Sequence, residues 1–170
     1  MLKHPKILII SHARWGKDTL AEIWRDNFNI KFASSSQAAC KIFLFDALKD
    51  KYGYTTIEEC FEDRMNRRAE WYELICEYNR EEKSRLAQDI MKENDIYVGM
   101  RDYAEIRRCI EIGVFDLVVW VDSSKRLPEE SRDSFNITVD EADIIIPNNG
   151  KLAEFEDRAL RLGNLLFGKR

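Results

Sequence analysis

The sequence has little of what organises metal-binding, exported or membrane-spanning chains. Its 170 residues include two histidines and four cysteines, and Cys40, Cys60, Cys76 and Cys109 form no C-x-x-C pair. No zinc-ligand spacing is therefore present, and reduced, packed thiols are expected. The longest apolar runs, at 7–10 and 117–121, are strand-sized, against the ~20 residues a membrane-spanning helix needs. Only three prolines and seven glycines occur, and no repeat, low-complexity tract or Pro/Ser-rich linker divides the chain, so a single domain over 1–170 is expected. No positively charged stretch with an apolar core opens the given sequence, which sets the expectation of a soluble cytoplasmic protein. With 27 Lys and Arg against 31 Asp and Glu, the net charge of −4 argues against a uniformly basic nucleic-acid binder while allowing a local basic cleft. Hydrophobic residues make up 45% and are spread along the chain, which excludes disorder.

Five β-type segments recur, at 6–10, 29–33, 95–99, 116–121 and 142–146. Three of them (ILII, LVVWV, DIIIP) are continuous rather than alternating apolar runs, the pattern of parallel strands covered by helices on both faces. Helical patterns lie between them, at 18–27, 36–51, 102–112 (ending at Gly113, a helix-terminating glycine) and 151–166. The stretch 56–94 is longer than one crossover helix and is expected to hold three helices, an insertion able to cover a substrate. The alternation of strand and helix predicts an α/β fold with right-handed crossovers.

The first strand runs into Ser11-His12-Ala13-Arg14-Trp15-Gly16-Lys17-Asp18-Thr19 and then a helix. The phosphate-binding pattern G-x-x-x-x-G-K-[ST] needs that context: backbone N–H groups and a helix N-terminus surround phosphates while Lys adds charge. Gly16 and Lys17 match, Ser11 replaces the first glycine, and Asp18 stands at the usual hydroxyl position with Thr19 next. The competing reading is a plain strand–turn–helix with Gly16 at the turn and Lys17 solvated.

The deviant loop resembles that of phage-type deoxynucleoside monophosphate kinases, relatives of adenylate kinase within the P-loop kinases. Arg14, Gly16, Lys17, Asp18 and Thr19 sit where that pattern has them. Val98-Gly99-Met100-Arg101 with Glu105 is similar to the family's strand-end G-x-R-x-x-x-E. Trp120-Val121-Asp122-Ser123-Ser124-Lys125-Arg126 resembles its strand leading into a basic lid, and 142–150 resembles its A-D-x-x-I-x-N-x-G segment, which dephospho-CoA kinases partly share. Four motifs in order cover most of the chain, least well at 50–90. The resemblance implies a three-layer P-loop NTPase-like fold with a five-stranded, mostly parallel sheet and helices on both faces. It also implies a helical monophosphate-binding insertion at 52–94 and a short lid at 123–136.

Phosphoryl transfer is mostly positioning and charge neutralisation, which assigns roles by residue type. Lys17 and the N–H groups of Ala13, Arg14, Trp15, Gly16, Asp18 and Thr19 would hold the β- and γ-phosphates of ATP. The Thr19 hydroxyl can reach a phosphate or Mg²⁺. Asp18 faces the metal, orients the acceptor, or is an ordinary acidic residue of a first helical turn. Arg126 and Arg132, with Lys125, can supply a cation to the transferring group, or belong to an exposed helix salt-bridged to Glu129, Glu130 and Asp133. Arg101, at a strand's carboxyl end, is the first acceptor-side cation. Ser35, within Ser34-Ser35-Ser36, is a second phosphate contact or part of a helix cap. Arg68 and Trp71 pair a cation with a ring for the base, although Trp71 also fits a core position. Asp122 orients Mg²⁺ or caps a helix, and the resemblance implies that Asn148 meets adenine where Asn-Asn-Gly otherwise makes a turn.

The expected activity is ATP- and Mg²⁺-dependent phosphorylation of (deoxy)nucleoside monophosphates. The alternatives are a dephospho-CoA kinase-like enzyme, a non-catalytic nucleotide-binding module, or a structural protein carrying the loop by accident. Expected partners are ATP, a nucleoside monophosphate and, as an open assignment, a second copy in a homodimer; membrane and nucleic acid are not expected.

Overall fold

The computed structural model describes residues 4–168. Five strands, β1 (Ile7–Ile10), β2 (Phe32–Ser34), β3 (Ile96–Val98), β4 (Leu117–Asp122) and β5 (Ile144–Pro147), form one sheet in the order β2-β3-β1-β4-β5. All four pairings are parallel, with Ile7 level with Ile96 on one side and Leu117 on the other. The ILII run of β1 is fully buried because it is the middle strand of a sheet covered on both faces.

The two faces divide its side chains. Ile7 and Ile9 point into a core with Leu20, Ala21, Trp24, Phe155 and Ala159 of helices α1 (Lys17–Phe28) and α8 (Leu152–Phe167). Leu8 and Ile10 point into the opposite core. That side is built by α2 (Ser35–Ala39), α3 (Phe45–Tyr52), α4 (Ile57–Glu62), α5 (Arg68–Tyr78), α6 (Arg85–Met91) and α7 (Tyr103–Glu111). The chain is thus a three-layer α/β fold. The 56–94 stretch holds three α-helices and a 3-10 turn at Asp63–Asn66, and Trp71 and Cys60 tie it to the same core.

Two segments differ from the sequence expectation. The helical pattern at 36–51 is divided by a π-turn, Cys40–Leu44, in which the Phe45 N–H bonds to the Cys40 carbonyl. Its wider turn keeps Cys40, Leu44 and Leu48 on the buried side. Residues 123–136, the expected lid, form turns in place of the exposed helix that was the alternative: Arg126 and Leu127 donate to the Ser123 carbonyl, and Pro128, lacking an N–H, ends the turn. The second strand also starts later than expected, at Phe32, because Asn29 takes a left-handed conformation (φ 54°) to terminate α1.

Trp24 joins the two helices of one layer: it is fully buried, and its indole N–H donates to the Ala159 carbonyl at 2.7 Å. Trp24→Ala should destabilise the fold by about 3–5 kcal/mol in a denaturant titration; a loss below ~1 kcal/mol would mean that α1 and α8 repack without it.

Candidate active site

The carboxyl ends of parallel strands are where open α/β sheets bind ligands, next to the strand where the order reverses direction. Here that strand is β1, from which the chain passes outward to β2 and later returns across to β4. The loop 11–16 leaves β1 at this point. Trp15 donates its N–H to the His12 carbonyl, Arg14 adopts φ 65°, and Gly16, the residue before α1, adopts φ 109°. An L-residue at Gly16 would be strained, and its Cβ would lie 2.5 Å from the Asn148 amide nitrogen. Having no side chain, Gly16 caps nothing, and the first turn of α1 carries no side-chain cap, an end of the kind that suits an anion.

The loop is stapled to the sheet through one carbonyl. Trp15 O accepts from Ser123 Oγ at 2.8 Å and from Asn148 Nδ2 at 2.9 Å, so the ends of β4 and β5 both hold it. Asn148 is therefore a structural partner of the loop. Arg126 lies on the same side, its Nε donating to the Asn148 carbonyl at 2.9 Å. Asp122 accepts from the Ser124 N–H at 3.0 Å and from Asn149 Nδ2 at 2.9 Å. Burial pushes its carboxyl up, but these hydrogen bonds prevail and hold it below the usual range, so it is ionised.

Lys17 lies largely buried, 13% exposed, with its amine 3.7 Å from the more exposed Asp18 carboxylate. Its Cε passes Gly99 at the end of β3, within 3.8 Å of where a Cβ would be, and Ser35 Oγ approaches the same point at 3.6 Å and faces the Gly99 carbonyl at 3.4 Å. Lys17, Ser35 and Gly99 are thus brought together, on the β2–β3 side of the loop. Arg101, just beyond, is half exposed, and its guanidinium reaches Glu130 at 2.7 Å. Arg132 is exposed on the turn 131–134, and Thr19 sits in the first turn of α1.

Arg68 is exposed and directed onto the Met65 sulfur at 3.1 Å. Trp71 is only 5% exposed, its ring 6.4 Å from that of Phe61, and its indole N–H is buried without a partner. Its rings face protein, so in this conformation it presents no stacking surface; the core alternative weighed from sequence describes its placement.

Two further residues are not among the site residues expected from sequence. His12 is buried among Trp15, Trp120 and Phe135, and its Nδ1 accepts the Glu130 N–H at 3.0 Å. Burial pushes its imidazole below the ordinary value, keeping Nδ1 an acceptor near neutral pH, against the opposing pull of Glu129 and Glu130. Glu105 on α7 has a buried, unpartnered Oε1, and burial, with Asp102 adding, pushes its carboxyl up to about 8. A neutral carboxyl at pH 7 is able to donate a hydrogen bond. Its place in the strand-end motif was the only sequence hint. Among the described residues no group of three or more His, Cys, Asp or Glu could hold a metal by itself, and no helix is long and apolar enough to cross a membrane. A surface hollow of about 260 Å³ at the amino ends of the strands, lined by His4, Lys6, Lys31 and Asp95 among others, is at the wrong edge for this site.

No protein-family model and no curated protein matches the chain. Among solved structures, shikimate kinase from Bacteroides thetaiotaomicron has the same fold, with a TM-score of 0.52 and 11% identity over 96% of this chain and 99% of that one. A sugar kinase from Janibacter sp. HTCC2649 aligns with a TM-score of 0.45 and 16% identity over 94% of each chain. The chain therefore shares the three-layer α/β fold of that shikimate kinase.

Gly16→Ala should cost about 1–3 kcal/mol of stability, because both the backbone and Asn148 resist a Cβ there. An unchanged thermal transition would show that the loop is free to move off the Asn148 amide.

Proposed function

We propose that this chain is a small-molecule kinase that moves the γ-phosphoryl group of ATP to a (deoxy)nucleoside monophosphate. The observation that carries the reading is the loop 11–16 at the carboxyl end of the central strand, with Lys17 laid over Gly99 and an uncapped helix N-terminus behind it. A γ-phosphate there would meet backbone N–H groups, the helix dipole and the Lys17 amine. Arg101 lies toward β3 and Arg126 toward β5, so cations flank the loop on both sides. That suits a donor phosphate on one side and an acceptor phosphate on the other.

In this reading Ala13, Arg14, Trp15, Gly16, Lys17, Asp18 and Thr19 hold the donor's phosphates, with Arg126 beside them. Asn148 contributes by fixing the loop. Ser35, Arg101, Arg68 and Arg132 serve the acceptor. The insertion 52–94 and the segment 123–136 act as covers within one domain, limiting transfer to water. Mg²⁺ fits the donor set: the ionised Asp122 at the end of β4 and the Thr19 hydroxyl supply hard oxygen ligands, and the nucleotide's phosphates supply the rest. When bound it would neutralise charge on the phosphates. Asp18, exposed beside the Lys17 amine, is placed to orient the acceptor or a metal-bound water. A cytoplasmic setting goes with these substrates.

The test is a coupled ADP-release assay with Mg-ATP against deoxynucleoside and ribonucleoside monophosphates, dephospho-CoA and shikimate. Release that depends on a monophosphate is expected. Release with dephospho-CoA or shikimate alone would change the acceptor class, and ATP binding without release would make the chain a nucleotide-binding module. Lys17→Ala should lower turnover by roughly 100-fold or more with the fold intact; normal turnover would remove the loop from the reaction. Arg101→Ala should raise the acceptor's KM far more than that of ATP, and the reverse pattern would exchange the two sites.

A further inference from the structure

The loop already holds an anion, and it comes from the chain itself. Glu130 Oε2 accepts the Ala13 N–H at 2.7 Å, and Glu130 Oε1 accepts from Arg101 at 2.7 Å. One carboxylate thus joins the two groups that the phosphoryl-transfer reading gives to different substrates. Its backbone is fixed too, since the Glu130 N–H donates to His12 Nδ1 at 3.0 Å. The Trp15 indole N–H holds the Pro128 carbonyl at 3.2 Å, and Phe135 packs against His12 and Trp120, with ring centroids 4.7 Å and 5.9 Å away. The segment from Pro128 to Phe135 is therefore docked on the loop at several points. The Glu130 side chain is 20% exposed, and the donors around it keep its carboxylate ionised against the effect of burial.

We propose that Glu130 is an internal stand-in for a substrate phosphoryl group: its carboxylate occupies an anion subsite between the Ala13 N–H and Arg101, and a phosphoryl oxygen must displace it to bind. The subsite takes a tetrahedral oxyanion in place of a carboxylate, since both offer oxygens to one backbone N–H and one guanidinium. The inference rests on the kinase reading for the identity of that phosphoryl group. Displacement frees Arg101 for the incoming group and loosens the segment's hold on the loop, coupling entry of substrate to movement of 128–135.

The probe is inorganic phosphate, titrated calorimetrically into the full chain, into Glu130→Gln and into Glu129→Gln. Glu129 is exposed, and its substitution removes the same charge at a neighbouring position that is felt at His12 but makes no hydrogen bond to Ala13 or Arg101. Removing the competing carboxylate should tighten phosphate binding roughly tenfold or more in Glu130→Gln, whereas Glu129→Gln should change it by about twofold at most, as a screened surface charge does. Equal affinities in all three proteins, or no phosphate binding in any, overturn the proposal. A measurement on the unaltered chain guards against a folding defect in the variant. The side-chain carboxyl ¹³C resonance of Glu130 should move during phosphate titration and saturate with the binding curve, and a resonance that stays fixed at saturation overturns the proposal. The kinase assay separates the two ideas. Tighter phosphate binding in Glu130→Gln without any acceptor-dependent ADP release leaves the internal anion standing and removes the kinase. Turnover with an unchanged Glu130→Gln does the opposite.

Discussion

One carbonyl oxygen, that of Trp15, fixes the geometry on which the site depends. Ser123 Oγ and Asn148 Nδ2 converge on it from the ends of β4 and β5. The contact holds the loop against the sheet, forces Gly16 into a conformation suited to glycine, and aims the first turn of α1 over the strand ends. A buried carbonyl with two donors is hard to move, because shifting it leaves polar groups unpaired. Lys17 follows directly from this fixed loop. Its backbone begins α1, and its side chain lies along Gly99, whose φ of 99° suits a glycine.

Around this fixed point the charges fall into two groups. On the β4–β5 side, Asp122 and Arg126 are tied by hydrogen bonds to Ser124, Asn149 and the Asn148 carbonyl. On the β3 side, Arg101 is tied through Glu130 to the loop itself. The first group is held chiefly by backbone atoms and neighbouring amides, and the second by a single side chain from a segment without regular structure. In the proposed kinase reading, rigid groups on one side and a displaceable one on the other set an order of events: the nucleotide would meet a prepared surface, while the acceptor side would have to be opened.

Much of the fold was legible because its signals are local. ILII, LVVWV and DIIIP read as strands buried on both faces, and all three are parallel neighbours; β1 and β4 are buried in that way, whereas β5 is the edge strand and leaves Ile145 exposed. Gly16-Lys17 after a strand marked the loop, since only a glycine suits that turn. The segment 36–51 was read as one regular helix because a π-turn leaves the composition unchanged. The turns at 123–136 were foreshadowed only by Pro128. The site was less legible for a related reason. Asn148 was expected at adenine, and sequence gave no sign that its amide would hold the Trp15 carbonyl 133 residues away. His12 and Glu130 lie 118 residues apart, and their pairing is set by how β1 and β4 lie side by side. Trp71 fitted both a stacking and a core position, and the packing of α5 against Phe61 placed it in the core.

The central claim is that the loop between β1 and α1 holds the donor's phosphates while Arg101 faces the acceptor's. It is tested most directly by a crystal structure with Mg²⁺, a non-hydrolysable ATP analogue and a deoxynucleoside monophosphate. The account predicts γ-phosphate oxygens within hydrogen-bond reach of the Lys17 amine and of the loop's N–H groups. It also predicts the acceptor's phosphate on Arg101 and the Glu130 carboxylate withdrawn from Ala13. A nucleotide bound elsewhere, or density at the loop with Glu130 still seated between Ala13 and Arg101, would contradict it.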